Sequence, residues 1–318
     1  MRVIRNRPEW TDEAYVSGRS VVAIGNFDGV HRGHLALIER CHAVAGTGDT
    51  VAVVTFEPLP LAYFRPDNPP ARISTVYQKL KILASLGVEL TWQMRIGRRF
   101  TALSARDFVI TVLVERLNVR TVVVGEDFRF GRAKEGDVAM LRLLGAEFGF
   151  DVETVPAVCV DGQRVSSSGI RQWLAAGDFE RTEKSLGRPF RMEGHVVQGA
   201  ALGRKLGYPT ANLRVRAQPC PLGGVLAVFS RIDGGPWLPG VSNLGRRPAV
   251  GGKEPLLEVH FFDFDADIYG KRLDVQFVAK LRDEANFSSM DDLIVQMKRD
   301  EQEARTCLAQ ASVPEERQ

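Results

Sequence analysis

The chain has 318 residues, 44% hydrophobic and 25% charged, a globular composition long enough for two domains. Its 42 basic and 39 acidic side chains leave a net charge of +3, so the balance gives no argument for nucleic acid or an anionic membrane. No apolar run approaches the roughly 20 residues of a membrane helix, the N-terminus lacks the apolar stretch of a secretory signal, and Cys41, Cys159, Cys220 and Cys307 form no CxxC pair. A cytoplasmic enzyme, with neither nucleic acid nor membrane as partner, is the expectation.

Continuous apolar runs at 21–24, 51–56 and 121–125 predict buried parallel strands. Helical periodicity marks 35–44, 76–86, 105–117 and 138–148. Alternation of the two predicts a parallel sheet with right-handed crossovers, which binds ligands at the carboxyl ends of its strands. The turns after Ile24, Phe56 and Val124 fall at that edge. After about residue 185 the pattern changes to short runs between glycines and prolines, at 191–197, 224–232, 256–264 and 273–279. Such spacing predicts a small antiparallel barrel or sandwich. A helix over 290–308 follows, with Asp291 and Asp292 in the first turn, where they suit the dipole. The expected organisation is an α/β domain over 1–184, a β domain ending in a helix over 185–310, and a tail over 311–318.

Between the first strand and its helix runs Gly25-Asn26-Phe27-Asp28-Gly29-Val30-His31-Arg32-Gly33-His34. Free amide N–H groups and the positive end of a helix dipole make such a turn a phosphate receptor. His31 and His34 share one face of the first helical turn. Taken singly, a Gly-rich turn is ordinary turn chemistry and a histidine there is a cap or surface group. The combination is far more specific, and it resembles the HxGH nucleotidylyltransferases, specifically their flavin-adenylating branch. Two further segments carry the same resemblance: Val123-Val124-Gly125-Glu126-Asp127-Phe128-Arg129-Phe130-Gly131 and Ser166-Ser167-Ser168-Gly169-Ile170-Arg171.

That resemblance implies a Rossmann-like fold and adenylyl transfer, in which an oxygen of the acceptor phosphate attacks the α-phosphorus of ATP and pyrophosphate leaves. It implies His31, His34 and Arg171 as catalytic groups, Gly25, Phe27, Gly33, Ser167 and Ser168 at ATP, and Asp127 at the flavin. Positioning and charge stabilisation suffice for this chemistry, with Mg²⁺ sharing the charge. One departure stands out. The family's Phe-x-Pro-His-Pro reads Phe56-Glu57-Pro58-Leu59-Pro60 here, and Leu59 neither donates a hydrogen bond nor carries charge.

In the second half, 199–213 reads Gly-Ala-Ala-Leu-Gly-Arg-Lys-Leu-Gly-Tyr-Pro-Thr-Ala-Asn-Leu. Three glycines around a basic pair, before a Pro-Thr-Ala-Asn turn, suit a phosphate loop beside a metal; a barrel corner uses the same residues. The run resembles the riboflavin kinase signature almost letter for letter. Through that resemblance Gly203 and Lys205 are implied at ATP and Thr210 and Asn212 at Mg²⁺. Alternation along 257–262 puts Glu258 and His260 on one strand face, and the pattern alone leaves both open as the general base. The family's Leu-Glu-x-His strand implies Glu258. Arg282, in Leu-Arg-Asp-Glu-Ala-Asn-Phe, is implied at flavin or phosphate, against the alternative of an ion pair with Asp283 or Glu284. Tyr and Thr of the kinase pattern are replaced by Leu226 and Ala249.

Together the motifs imply the bifunctional riboflavin kinase/FMN adenylyltransferase family: riboflavin, FMN and ATP as substrates, FMN and FAD as products, Mg²⁺ in both steps. A homo-oligomer is compatible with this reading. Two other readings are an HxGH transferase with another acceptor and a flavin-binding regulator whose adenylylation site has decayed.

Overall fold

The computed structural model describes residues 1–5, 15–198, 208–217, 219–245 and 256–314. Contacts divide the chain into two compact units. The first comprises Met1–Pro70 and Ser74–Ser167, the second Ala71–Ile73 and Ser168–Gln318.

The first unit holds a six-stranded sheet, all of whose pairings are parallel. Its strands are β1 (Arg2–Arg5), β2 (Ser20–Ile24), β3 (Thr50–Glu57), β4 (Leu90–Arg95), β5 (Val119–Gly125) and β6 (Asp151–Val155), in the order β1-β4-β3-β2-β5-β6. Every residue of β2 is buried, because the sheet is covered on both faces. Val22 and Ile24 belong to one apolar cluster with Val54, Trp92, Leu113 and Leu141. Val21 and Ala23 belong to the other, with Val53, Ile38, Cys41 and Leu83. Strand alternation thus divides a continuous apolar run between two cores.

The helices of this unit are α1 (Arg32–Val44), α2 (Pro60–Phe64), α3 (Val76–Ser85), α4 (Arg98–Thr101), α5 (Ala105–Phe108) and α6 (Val138–Phe148). The helix expected over 105–117 is α-helical only through α5, then widens into a π-helical segment over Val109–Val114. Four successive β-branched residues, Val109-Ile110-Thr111-Val112, crowd a regular α-turn there. A two-stranded ribbon, β7 (Cys159–Val160) and β8 (Gln163–Arg164), follows β6.

Helix α7 (Ser167–Ala176) starts on the last residue of the first unit, and α8 (Phe179–Leu186) follows it. The second unit is a closed antiparallel barrel of β9 (Arg191–Val197), β10 (Ala211–Arg214), β11 (Gly224–Ile232), β12 (Trp237–Leu244), β13 (Leu256–Phe261) and β14 (Arg272–Arg282). Its order is β10-β13-β12-β11-β14-β9, closed by the β9–β10 pair. Closure leaves no strand edge unpaired. The final helix α9 (Met290–Gln310) is capped by Ser289, whose hydroxyl accepts from the Asp292 N–H at 3.1 Å. It packs Ala304 and Leu308 against Ala227, Phe229 and Phe262. The turn expected at Pro-Thr-Ala-Asn gives way at Ala211 to β10, because Asn212 and Leu213 pair with strands on both sides. The α/β unit followed by a helix-ended antiparallel barrel is the fold class the sequence implied.

Candidate active sites

In the first unit, His31 is the N-cap of α1 and the Gly25–His34 turn delivers it from the end of β2. Phe27 and Val30 take left-handed φ values of 52° and 43°. For a β-branched residue such as Val30 this is an outlier, of the kind that concentrates at functional turns. The glycines have steric reasons. A Cβ on Gly33 would lie 3.2 Å from His31 Cε1 and Nδ1, and one on Gly25 would lie 3.2 Å from Phe27 Cε2. The His31 and His34 rings stack at 3.7 Å and 17°, with Phe27 4.7 Å beyond His34. The His31 N–H donates to His34 Nδ1 at 3.2 Å, so the neutral His34 ring carries its proton on Nε2. The helix start therefore presents an N–H donor from a ring whose tautomer the backbone sets.

Gly25, His31, Gly33, His34 and Asp127 line one cavity of about 360 Å³. Arg164, which the motif reading did not single out, lines it too and pairs with Asp127 at 2.6 Å. Asp28 is buried and serves the turn: its Oδ1 accepts from Ser74 N–H at 3.2 Å. Ser167 Oγ donates to the Asp28 carbonyl at 3.0 Å. Leu59 is buried, and its carbonyl accepts from Ala62 and Tyr63 at the start of α2. Ser168 and Arg171 lie on α7 in the second unit, where Arg171 Nε donates to the Ala71 carbonyl.

In the second unit, Thr210, Asn212, Glu258 and Arg282 line one cavity of about 360 Å³, together with Tyr208 and the apolar Val225, Phe287 and Leu293. Asn212 pairs with Glu258 across the β10–β13 ladder. Asn212 Oδ1 is buried without a hydrogen-bond partner among the described residues. Burial pushes the Glu258 carboxyl above the usual carboxylate range. Arg282 forms its ion pair with Asp300 of α9, at 2.7 Å, rather than with Asp283 or Glu284. His260 Nδ1 lies 2.9 Å from the Pro209 carbonyl, which fits a donor steadying the loop. A second cavity, of about 490 Å³, has Pro209, Thr210, Ala211, Phe261 and Tyr269 in its wall. Gly203, Lys205 and Ala249 lie outside the described residues.

Comparison with known proteins finds relatives of both halves of the chain. Residues 14–169 match the FAD synthetase family and residues 186–308 the riboflavin kinase family. A bifunctional riboflavin kinase/FMN adenylyltransferase of Escherichia coli (strain K12) is 44% identical over 286 residues, covering 90% of this chain and 91% of the relative. One from Pseudomonas fluorescens is 43% identical, covering 91% and 93%. The chain belongs to the bifunctional riboflavin kinase/FMN adenylyltransferase family. It is an enzyme of FAD biosynthesis, with the two domains in that family's order. A crystal structure described as a macrolide-efflux protein from Streptococcus pneumoniae shares the family fold, with a TM-score of 0.80 at 30% identity, covering 96% of this chain and 99% of that one. No helix among the described residues of this chain is long and apolar enough to cross a membrane.

Proposed function

We propose that the barrel, within 185–310, transfers the γ-phosphoryl group of ATP to riboflavin, and that 1–184 transfers the adenylyl group of a second ATP to the resulting FMN. The pairing of Asn212 with Glu258 at one cavity carries the kinase reading. Glu258 takes the proton of the riboflavin primary hydroxyl as that oxygen attacks; a base whose pKa is raised by burial is better matched to an alcohol near neutral pH. The aromatic and aliphatic wall of that cavity suits a flavin ring, with Arg282 held beside it by Asp300. ATP approaches from the cavity on the Pro209–Ala211 side, and Gly203 and Lys205 are assigned to its phosphates.

Asn212 Oδ1, buried and without a hydrogen-bond partner among the described residues, and the Thr210 hydroxyl fit Mg²⁺, a cation that takes hard oxygens and keeps substrate phosphates as further ligands. Bound there, Mg²⁺ supplies charge neutralisation to the transferred phosphoryl group.

For adenylyl transfer, the stacked His31 and His34 at the N-terminus of α1 donate to the ATP phosphates, with the helix amides behind them. The acceptor is the FMN phosphate oxygen; the α-phosphorus bond to pyrophosphate breaks as the new one forms. Gly25, Phe27 and Gly33 shape the turn, Ser167, Ser168 and Arg171 are assigned to ATP, and Asp127 to the flavin. Cytoplasmic location is part of the proposal, in keeping with use of ATP and four free cysteines.

Incubation with riboflavin, ATP and Mg²⁺ tests the reading by chromatography of the flavins. FMN followed by FAD is expected. FMN alone would overturn the transferase assignment, and no product would overturn both.

A further inference from the structure

Lys79 is 2% exposed, on the apolar face of α3 beside Leu80 and Leu83. A lysine that deep is rare, because its ammonium loses water and must recover hydrogen bonds inside the protein. Its Nζ donates to Thr55 Oγ1 at 3.0 Å and to the Asn26 carbonyl at 3.3 Å. Thr55 Oγ1 in turn donates to the same carbonyl at 2.9 Å. The three groups form a triangle of cation, hydroxyl and carbonyl, joining α3 and the end of β3 to the turn that follows β2.

Asn26 lies between Gly25, which lines the cavity, and Phe27, whose left-handed backbone and ring contact support His34. A carbonyl gripped from two sides fixes the peptide plane at the point where the turn departs from strand geometry. An apolar residue of similar length would fill the volume and leave the Asn26 carbonyl to the Thr55 hydroxyl alone.

We infer that Lys79 is a positioning residue of adenylyl transfer: through Thr55 and the Asn26 carbonyl it sets the Gly25–Phe27 turn against the polyphosphate of ATP. This rests on the assignment of adenylyl transfer to the His31–His34 turn. Misplacement of a reacting group by about 1 Å costs on the order of a hundredfold in rate.

The experiment measures both reactions on the full-length protein. Lys79→Met is expected to lower the adenylylation kcat by about a hundredfold, while riboflavin phosphorylation by the same preparation stays within about twofold of the parent. Thr55→Val, which removes the shared hydroxyl and retains the ammonium, is expected to raise the ATP KM of adenylylation by about fivefold. A merely packing role predicts a lower Tm with parental kcat and KM per folded molecule; that result overturns the inference. Should Lys79→Met not fold, Thr55→Val decides, and a parental ATP KM overturns it. The control is His31→Ala with His34→Ala. If that double variant still makes FAD, the site assignment itself fails. If it does not and Lys79→Met works normally, only the role of Lys79 fails.

Discussion

Asn212 of β10 stands opposite Glu258 of β13 in the barrel ladder, so the amide and the carboxylate reach one cavity from adjacent strands. Ladder pairing fixes their separation without a loop, so the geometry is as rigid as the barrel. Two substitutions separate the roles. Glu258→Gln is expected to lower riboflavin phosphorylation by about 10² to 10⁴ with little change in ATP KM. Asn212→Ala is expected to raise the Mg²⁺ concentration needed for half-maximal rate. Steady-state kinetics with varied Mg²⁺ distinguish the two.

The same carboxyl gives a pH signature. Its pKa is raised in the fold by burial, so the kinase rate should fall on acidification with a limb above the ordinary carboxylate range. For stability, a raised folded pKa favours folding below the unfolded pKa, and that contribution is lost as pH rises through the folded value. Glu258→Gln should therefore gain thermal stability relative to the parent toward neutral pH, and the difference should vanish in acid. Melting curves across pH 3 to about 8 read this directly.

The histidine stack predicts a separation of the two activities. His31→Ala with His34→Ala should stop FAD formation and spare FMN formation. Gly33→Ala is subtler, because its Cβ would press on the His31 ring at 3.2 Å. A loss of adenylylation of about tenfold or more with nearly unchanged Tm is expected. Both are read by chromatography of flavin products.

Asp300 is buried and holds Arg282 through two guanidinium nitrogens, Nε at 2.9 Å and Nη2 at 2.7 Å. Asp300→Ala strands a cation beside the cavity and should destabilise the second unit by about 3 kcal/mol. Urea unfolding checks this, and the riboflavin KM should rise in the same variant.

Cys41 lies buried between α1 and the sheet, and desolvation pushes its thiol up to about 12. It should resist alkylation in the native protein, while exposed Cys159 reacts. Peptide mass spectrometry after a timed iodoacetamide pulse distinguishes them; rapid labelling of Cys41 would contradict its burial.

Much of this was legible in the chain. The runs at 21–24, 51–56 and 121–125 became β2, β3 and β5, because a two-sided buried strand must be apolar throughout. Strands β4 and β6 went unread: Leu90–Arg95 mixes Thr, Gln and Arg among its apolar residues, and Asp151–Val155 is half polar. Asp127 and the histidines were readable because their motifs are local. Arg164 was not, since its partner Asp127 lies 37 positions away. Lys79 did leave a trace, a charge four residues before buried Leu83 on an amphipathic helix, where pattern alone predicts an apolar residue. Asp300 left none, because it sits in an acidic run with Glu301 and Glu303 and reads as one more solvated charge.

The extended segment 208–212 is a partition. Tyr208 and Asn212 line the cavity that holds Glu258, Pro209 and Ala211 line the other, and Thr210 lines both. On the proposed assignment of riboflavin to the first cavity and ATP to the second, alcohol and nucleotide would meet across a wall one residue thick, an arrangement suited to in-line transfer. A γ-phosphoryl group made chiral with oxygen isotopes should emerge on FMN with inverted handedness.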